Sequence, residues 1–173
     1  MKSEKELNES IRNKAVSCGL CAEWQKNWKN DWNLDKLVDR FYKGLDFFLK
    51  TRFVSNDFIK DNFEKGFLRK KGIIVDDAYS LLNPQMAIML GSSKSMVRVN
   101  GYTVSSIYVT DSSDVTVAAK GHSMCLIHVL GQASVYARNE DMASITVINH
   151  STASNISAVS GVKIIDEMDY LTS

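Results

Sequence analysis

The chain has 173 residues, of which 45% are hydrophobic and 24% are charged. This is the composition of a folded globular protein and excludes a disordered one. The formal net charge is only +1, so the whole molecule has no strong attraction for polyanions. Its halves differ, because residues 1–72 carry 16 Lys and Arg against 11 Asp and Glu, and residues 73–173 carry 5 against 9. Nucleic-acid binding by the basic first half is therefore one alternative, although solvated helix faces explain the asymmetry more simply.

The chain shows no sequence signal for export or membrane insertion. Its polar start, MKSEKELNESIRNK, lacks the apolar core of a signal peptide. No apolar run approaches the roughly 18 residues of a membrane span. We expect a cytoplasmic protein, or one released without a secretory signal, and no membrane partner.

Three cysteines, an odd number, argue against a disulfide framework. Cys18 and Cys21 have the CxxC spacing of redox motifs and half zinc sites, but the segments on both sides have a helical pattern. The remaining zinc-ligand types, Cys125 and the three histidines, all lie in the second half of the chain. We therefore expect no metal and no cofactor, and interpret the CxxC pair as small apolar residues where a helix begins.

The period is helical from Glu4 to about Phe67. One helix is predicted over residues 4–17 and a short one from Ala22. The segment LDKLVDRFYKGLDFFLKTR (34–52) places its apolar residues at i, i+3 and i+4 and reads as one helix, with Asn33 as N-cap. Ser55 is the natural cap of a further helix, SNDFIKDNFEKGF.

Trp24, Trp28 and Trp32 are spaced four apart, with Lys26 and Lys29 between them. On one continuous helix they form a stripe that stacks on bases or sugars. The segment 30–33, Asn-Asp-Trp-Asn, has the pattern of a loop and breaks that stripe. Large core residues of a small helical module are the preferred interpretation.

A repeat begins after residue 72, where charges thin out and Val, Ile, Ser and Thr dominate. Residues 100–117 align without a gap on residues 120–137, with Gly101 on Gly121 and Val104 on Met124. Two interleaved series of apolar pairs continue along the chain, and in each pair the middle residue is skipped as a strand requires. The first series is Ile88/Leu90, Ile107/Val109, Ile127/Val129, Ile145/Val147 and Ile164; the second is Val97/Val99, Val115/Val117, Val135/Ala137 and Ile156/Ala158.

A fixed period of about 20 residues is the signature of a solenoid. The predicted fold class is therefore α+β. A helical cap module, residues 1–72, precedes a short single-stranded β-helix of four to five coils, residues 73–173. Polar turns at Gly91, Asp111, Gly131 and Ser151, and a second corner at Gly101, Gly121, Asp141 and Gly161, separate the strands.

Alternation within the strands assigns the side chains to faces. Cys125 has the parity of Ile127 and points inward, as an inert core thiol. Two outward ladders are expected to face solvent, and they supply the candidate binding residues Tyr108, His128, Tyr136 and Arg98. The first ladder is Tyr108–His128–Thr146 and the second is Arg98, Thr116 and Tyr136.

No phosphate-binding loop, dinucleotide fingerprint, nucleophile elbow or two-histidine zinc helix occurs in the sequence. Carboxylates near two corners, Asp111 with Asp114 and Glu140 with Asp141, are an alternative sugar or metal site. Aspartate at a turn is also what turn geometry favours. The leading hypothesis is thus a non-enzymatic interaction module, with a carbohydrate-binding or carbohydrate-cleaving solenoid as the alternative.

The two ends of a solenoid need covers, because they expose unpaired strand edges. The helical module is placed to cover the first coil, and the charged tail IIDEMDYLTS, with Asp166, Glu167 and Asp169, to protect the last. Without that protection, end-to-end assembly follows. A side-by-side homo-oligomer or a protein partner bound to the outer face is the other expectation.

The chain also resembles a family of proteins of unassigned function found mainly in gut anaerobes and their prophages. The resemblance rests on Cys21-Ala-Glu23-Trp24, on Asp46-Phe47 and Phe58-Ile59 in a helical pair, and on the β-repeat that follows. It implies the same architecture and no particular activity. A phage association implies an interaction or structural role rather than a metabolic one.

Overall fold

The structure is a computed structural model that describes residues 2–29 and 33–171. The chain divides into two compact units. The first comprises the described residues up to Glu64, and the second runs from Lys65 to Leu171. None of the helices in the described part of the chain has the length and apolar character that a membrane crossing requires.

The first unit is helical, as predicted. Asn33 and Ser55 cap their helices as expected, since Asn33 accepts a hydrogen bond from the Lys36 N–H and Ser55 from the Phe58 N–H. The core of this unit includes Leu7, Ala15, Leu20, Trp28 and Leu37. Its helices are α1 (Glu4–Ser17), α2 (Ala22–Asn27), α3 (Leu34–Lys43), α4 (Leu45–Thr51) and α5 (Asn56–Asn62).

The segment 34–52 is two helices rather than the single one predicted, because α3 ends at Gly44 and α4 begins directly after it. The six-membered ring of Trp24 lies against Gly44, and a Cβ there would be 3.2 Å from two of its carbon atoms. A larger residue would push the indole away. The absence of a side chain at Gly44 therefore makes room for Trp24, while the apolar stripe continues through the buried Phe48 and Leu49.

The second unit is a parallel β-solenoid of about four turns with coils of about 20 residues, which confirms the predicted fold class. A short helix, α6 (Lys65–Lys70), precedes the first strand. The strands are β1 (Ile73–Val75), β2 (Leu81–Leu82), β3 (Met86–Leu90), β4 (Lys94–Val99), β5 (Val104–Val109), β6 (Asp114–Ala119), β7 (Met124–Val129), β8 (Ser134–Asn139), β9 (Ser144–Asn149), β10 (Asn155–Ala158) and β11 (Lys163–Asp166). Sheet A has the strand order β1-β3-β5-β7-β9-β11 and sheet B the order β10-β8-β6-β4-β2, and every pair is parallel.

Both corners of a regular coil have the same backbone. Each is four residues long and has its second residue in the left-handed region, with φ near +57° at Asp111 and +73° at Gly121. This region favours glycine and tolerates aspartate or asparagine. Because the two corners are alike, the 20-residue coil is built from two similar halves of ten residues. The second residues of the four-residue corners are Gly101, Asp111, Gly121, Gly131 and Asp141, and Gly91 and Gly161, at the turns of the first and last coils, also have positive φ.

The predicted register is wrong by one residue in β3. Ala87 and Met89, not Ile88 and Leu90, align with the inward Ile107 and Val109. Ile88 instead lies beside Tyr108 on the outer side of sheet A, where it is nevertheless fully buried. Every residue of the segment MAIML is apolar, so the alternation of polar and apolar residues could not show which side chains point inward.

In the other strands the residues predicted to point inward do so, but several of them pair with a different residue from the one predicted. Val97 lies beside Val117 rather than Val115, and Val147 lies beside Ile127, so both steps are 20 residues rather than 18. Ile164 also pairs with Val147, because the last coil is shorter. The step of 21 residues that leads to Ile156 is confirmed.

The two ends of the solenoid differ. At the start, α6 contacts β1, and the inward Ile74 of the first strand is only 1% exposed. At the other end, the inward Ile164 of β11 is 48% exposed. Of the tail that was predicted to protect the last coil, Ile164–Asp166 form part of the last strand, and the protection itself stays a prediction. That strand ends in charged residues, Lys163 and Asp166, which oppose further strand addition.

An ion-pair cluster fixes α6 to the loop after β1. Asp77 accepts two hydrogen bonds from the Arg69 guanidinium, at 2.8 and 3.0 Å, and the Lys65 ammonium lies 2.8 Å from it. The Asp77 side chain is 6% exposed. The hydrogen bonds from Arg69, followed by the Lys65 ammonium, lower the pKa of Asp77 to about 2. That the whole module of residues 1–72 caps the first coil stays a prediction.

Candidate functional site

The first predicted ladder does not face solvent along its length. The rings of Tyr108 and His128 are stacked as expected, 4.5 Å apart and nearly parallel, but His128 is only 8% exposed. The register places Ile148, not Thr146, next in this column. A residue outside the strands, His150, lies beside His128, with its ring nearly parallel and the two ring centroids 5.2 Å apart.

His150 connects the solenoid to the end of the chain. Its Nδ1 lies 2.7 Å from the Glu167 carbonyl oxygen, which can only accept, so Nδ1 donates. In the neutral imidazole the other nitrogen, Nε2, is then the acceptor for the Nδ1–H of His128, at 2.9 Å. The His150 side chain is 1% exposed. The hydrogen bonds thus define one tautomer for each ring.

Tyr170 completes a group of four rings that we call the histidine stack: Tyr108, His128, His150 and Tyr170. The Tyr170 ring lies 4.2 Å from the His150 ring and 5.7 Å from the His128 ring. The segment after β11 therefore folds back over the outer side of sheet A. The role that this geometry supports for Tyr108 and His128 is attachment of the C-terminal segment.

The outer side of sheet B carries the other predicted ladder, but in two columns. Arg98 lies beside Ala118 and then Arg138, whereas Thr116 lies beside Tyr136, so Arg98 and Tyr136 belong to neighbouring columns. Both arginines are exposed, and Tyr136 is 42% exposed. This side of the solenoid, unlike the histidine stack, is open for binding.

The predicted acidic corners are structural in three of four positions. Asp111 accepts a hydrogen bond from the Gly91 N–H at 2.6 Å, and Asp141 accepts one from the Gly121 N–H at 3.3 Å. In each case the carboxylate joins its corner to the corner one coil earlier. Glu140 lies 3.6 Å from the Lys120 ammonium. Asp114 is exposed on sheet B, apart from the other three.

An exposed apolar surface was not predicted. It lies where sheet B turns into sheet A, on three successive coils. Val104 and Met124 are neighbours at the first position of β5 and β7, and the rings of Tyr102 and His122 are stacked 5.1 Å apart just before them. We call this surface the apolar strip: Tyr102 (83% exposed), Val104 (62%), His122, Met124 (56%) and Met142 (75%).

Of the two described tryptophans of the first unit, Trp28 is buried and Trp24 is half-buried. Trp28 is 8% exposed and its Nε1–H donates to Asn8 at 2.8 Å. The Arg40 guanidinium lies about 5 Å from the rings of both Trp24 and Trp28. This confirms the core interpretation for Trp28. Trp32 and the predicted loop at 30–32 lie outside the described residues.

A cleft of about 360 Å³ beside Trp24 is lined by charged residues of both signs, including Glu23, Lys36 and Asp39. Its mixed charge selects no particular ligand.

The cysteines behave as small residues. Cys125 points inward as predicted and is 4% exposed, and burial raises the pKa of its thiol to about 11. Cys18 and Cys21 are exposed free thiols. Within residues 2–29 and 33–171, no three His, Cys, Asp or Glu side chains are grouped closely enough to hold a metal ion.

These features define a two-sheet parallel β-solenoid with a separate helical unit, an open sheet B and an apolar strip. Comparison with protein-family models, with curated proteins and with solved structures finds no match to the chain. The resemblance to gut-bacterial and prophage proteins therefore stays a prediction.

Proposed function

We propose that this protein is a non-enzymatic interaction module that self-associates through the apolar strip. The supporting observation is that four large apolar side chains, each more than half exposed, are contiguous on three coils. Contiguous exposed apolar surface of this kind usually marks an interaction site. Methionine is well suited to such a surface, because its flexible thioether adapts to the partner.

The chemistry of the strip favours a second copy as partner. Its two ends are complementary, with an aromatic ring at Tyr102 and a thioether at Met142. A twofold contact centred on the middle coil places Tyr102 of each copy against Met142 of the other, which is the self-complementary arrangement of a cyclic dimer. Sulfur–aromatic contacts of this kind are favourable. The ion pair between Lys120 and Glu140 supplies a polar rim beside the strip.

The small size of the strip favours a weak dimer rather than an obligate one. Interfaces of low area are generally transient. We therefore expect association that depends on protein concentration. A dimer held by apolar contacts should also survive added salt, because salt screens exposed charges but not apolar burial.

The test compares two charge insertions by sedimentation equilibrium. Met142→Lys places a charge in the strip, and Leu82→Lys places one at a similarly exposed apolar residue, 67% accessible, on sheet B. The proposal predicts at least tenfold weaker association for Met142→Lys and wild-type association for Leu82→Lys. An unchanged dimer in Met142→Lys, or equal loss in both variants, contradicts it.

A further inference from the structure

The charges of the solenoid are segregated in a way that the overall composition hides. Residues 73–173 contain five basic and nine acidic residues, a net charge of −4. Yet three of the five basic residues, Lys94, Arg98 and Arg138, lie on the outer side of sheet B. Asp114 is the one acidic residue in the paired strands of that side. We call this surface the basic face.

Several acidic residues of the same segment form hydrogen bonds or ion pairs elsewhere. Asp111 and Asp141 join neighbouring corners, and Asp76 accepts a hydrogen bond from the Ser92 N–H at 2.8 Å. Asp77 is engaged by α6. No described carboxylate forms an ion pair with Arg98 or Arg138. The guanidinium groups of Arg98 and Arg138 are therefore exposed on the outer side of sheet B and can bind an external anion.

The spacing of these groups is set by the sheet. Arg98 and Arg138 occupy the same column two strands apart, with only the methyl group of Ala118 between them. At about 4.8 Å per strand, their backbones are about 10 Å apart. Tyr136 stands one column away, with the Thr116 hydroxyl beside it. The basic face thus combines two separated cations in one column with an aromatic ring and a hydroxyl group in the neighbouring column.

We propose that the basic face binds an extended acidic polysaccharide, with Arg98 and Arg138 holding carboxylates and Tyr136 packing against a sugar ring. Guanidinium groups bind carboxylates through paired hydrogen bonds. The face of an aromatic ring provides the apolar surface for the sugar. In such a polymer the carboxylates are carried by separate sugar units. Their spacing along the chain therefore suits Arg98 and Arg138, which are separated by one strand.

Charge density favours this ligand over a nucleic acid. Duplex DNA carries one phosphate per about 3.4 Å of each strand, and its binding depends on neutralising many of them. The basic face offers three cations and one carboxylate, on a solenoid segment, residues 73–173, whose net charge is −4. A sparsely charged polymer with hydroxyl groups fits this surface better.

The test uses affinity electrophoresis in gels that contain sodium polygalacturonate, with gels that contain neutral dextran as reference. The proposal predicts retardation by polygalacturonate alone. The double variant Arg98→Gln/Arg138→Gln should bind at least tenfold more weakly. Its matched control is Lys70→Gln/Lys163→Gln, which removes two exposed positive charges of the second unit from outside the basic face and should keep wild-type binding. Circular dichroism establishes that each variant is folded.

Three results overturn the proposal. The first is that polygalacturonate does not retard the protein at low salt. The second is that both double variants lose binding equally, because an equal loss indicates attraction by net charge alone. Tighter binding of single-stranded oligothymidylate than of polygalacturonate assigns the face to nucleic acid instead. The role of Tyr136 is tested separately, since Tyr136→Ala should weaken binding several-fold and unchanged binding contradicts the sugar contact.

Discussion

The Nδ1 atom of His128 lies 2.9 Å from the Nε2 atom of His150, between two side chains that are almost fully buried. The first histidine belongs to a strand and the second to a corner 22 residues later. The hydrogen bond continues through His150 to the Glu167 carbonyl. The solenoid therefore holds the C-terminal segment by a side-chain relay in addition to strand pairing.

Replacing His150 with alanine should release that segment. The variant leaves the Nδ1–H of His128 and the Glu167 carbonyl without their partner, at a cost of about 1–3 kcal/mol for a buried group. The amide of Glu167, which donates to the Asn149 carbonyl at 2.8 Å, reports the loss by hydrogen exchange. Its exchange should accelerate at least tenfold. The control is His122→Ala, at an exposed stacked histidine, and equal acceleration in both variants would show that the relay is not responsible.

Two corner glycines should differ in their tolerance of alanine. Both have positive φ, +66° at Gly101 and +73° at Gly121, so alanine costs about 1 kcal/mol at each. A Cβ at Gly101 meets no atom within 4 Å, whereas one at Gly121 lies 3.2 Å from the Gly101 nitrogen. We expect Gly121→Ala to be the more destabilising by about 1 kcal/mol or more. Chemical denaturation of both variants measures the difference, and equal losses would mean that the stacked corners yield easily.

The cluster around Asp77 should make the protein sensitive to acid. Hydrogen bonds from Arg69 hold the pKa of Asp77 at about 2, below the ordinary value of 3.8. A lowered folded-state pKa contributes stability that is fully present above about pH 4 and is lost as the pH falls toward 2. The contribution is on the order of 2 kcal/mol.

Asp77→Asn provides the comparison for this acid sensitivity. The free energy of unfolding of wild type minus that of the variant should shrink between pH 4 and pH 2. A difference that stays constant over this range would show that the Asp77 carboxylate is not the group responsible.

Thiol reactivity should separate the three cysteines. Cys18 and Cys21 are exposed, whereas burial raises the pKa of Cys125 to about 11. Because the thiolate is the reactive form, iodoacetamide at pH 8 should modify two cysteines quickly and the third only on unfolding. Mass spectrometry of the native protein distinguishes two adducts from three, and rapid modification of Cys125 would contradict its place in the core.

The sequence predicted the solenoid because inward positions must match from coil to coil. Its errors occur where that signal is weak. Ser95 and Cys125 hold inward positions beside Val115 and Ile145, so matching only Val and Ile shifted the predicted partners by two residues. The parity of each strand survived this shift, because a displacement of two preserves the face.

The site residues were less predictable, for different reasons. Val104 has the parity of Tyr108, so its outward position could be predicted, but its alignment with Met124 served only as evidence for the repeat. His150 lies in a corner of irregular length, and no local pattern shows that such a residue folds onto a neighbouring strand. The basic face could not be predicted without the strand register. The predicted ladder put Thr116 beside Arg98, whereas the register puts Ala118 and then Arg138 in that column.

The central claim is self-association through the apolar strip, and the most direct measurement is the mass of the protein in solution. Light scattering on a sizing column should give a mass that rises from 19.4 kDa for one chain toward twice that value with concentration. The dimer should persist at high salt. A mass of one chain at every concentration would contradict the proposed function. A mass that rises beyond that of the dimer would also contradict it and would indicate end-to-end association through the last strand, at Ile164.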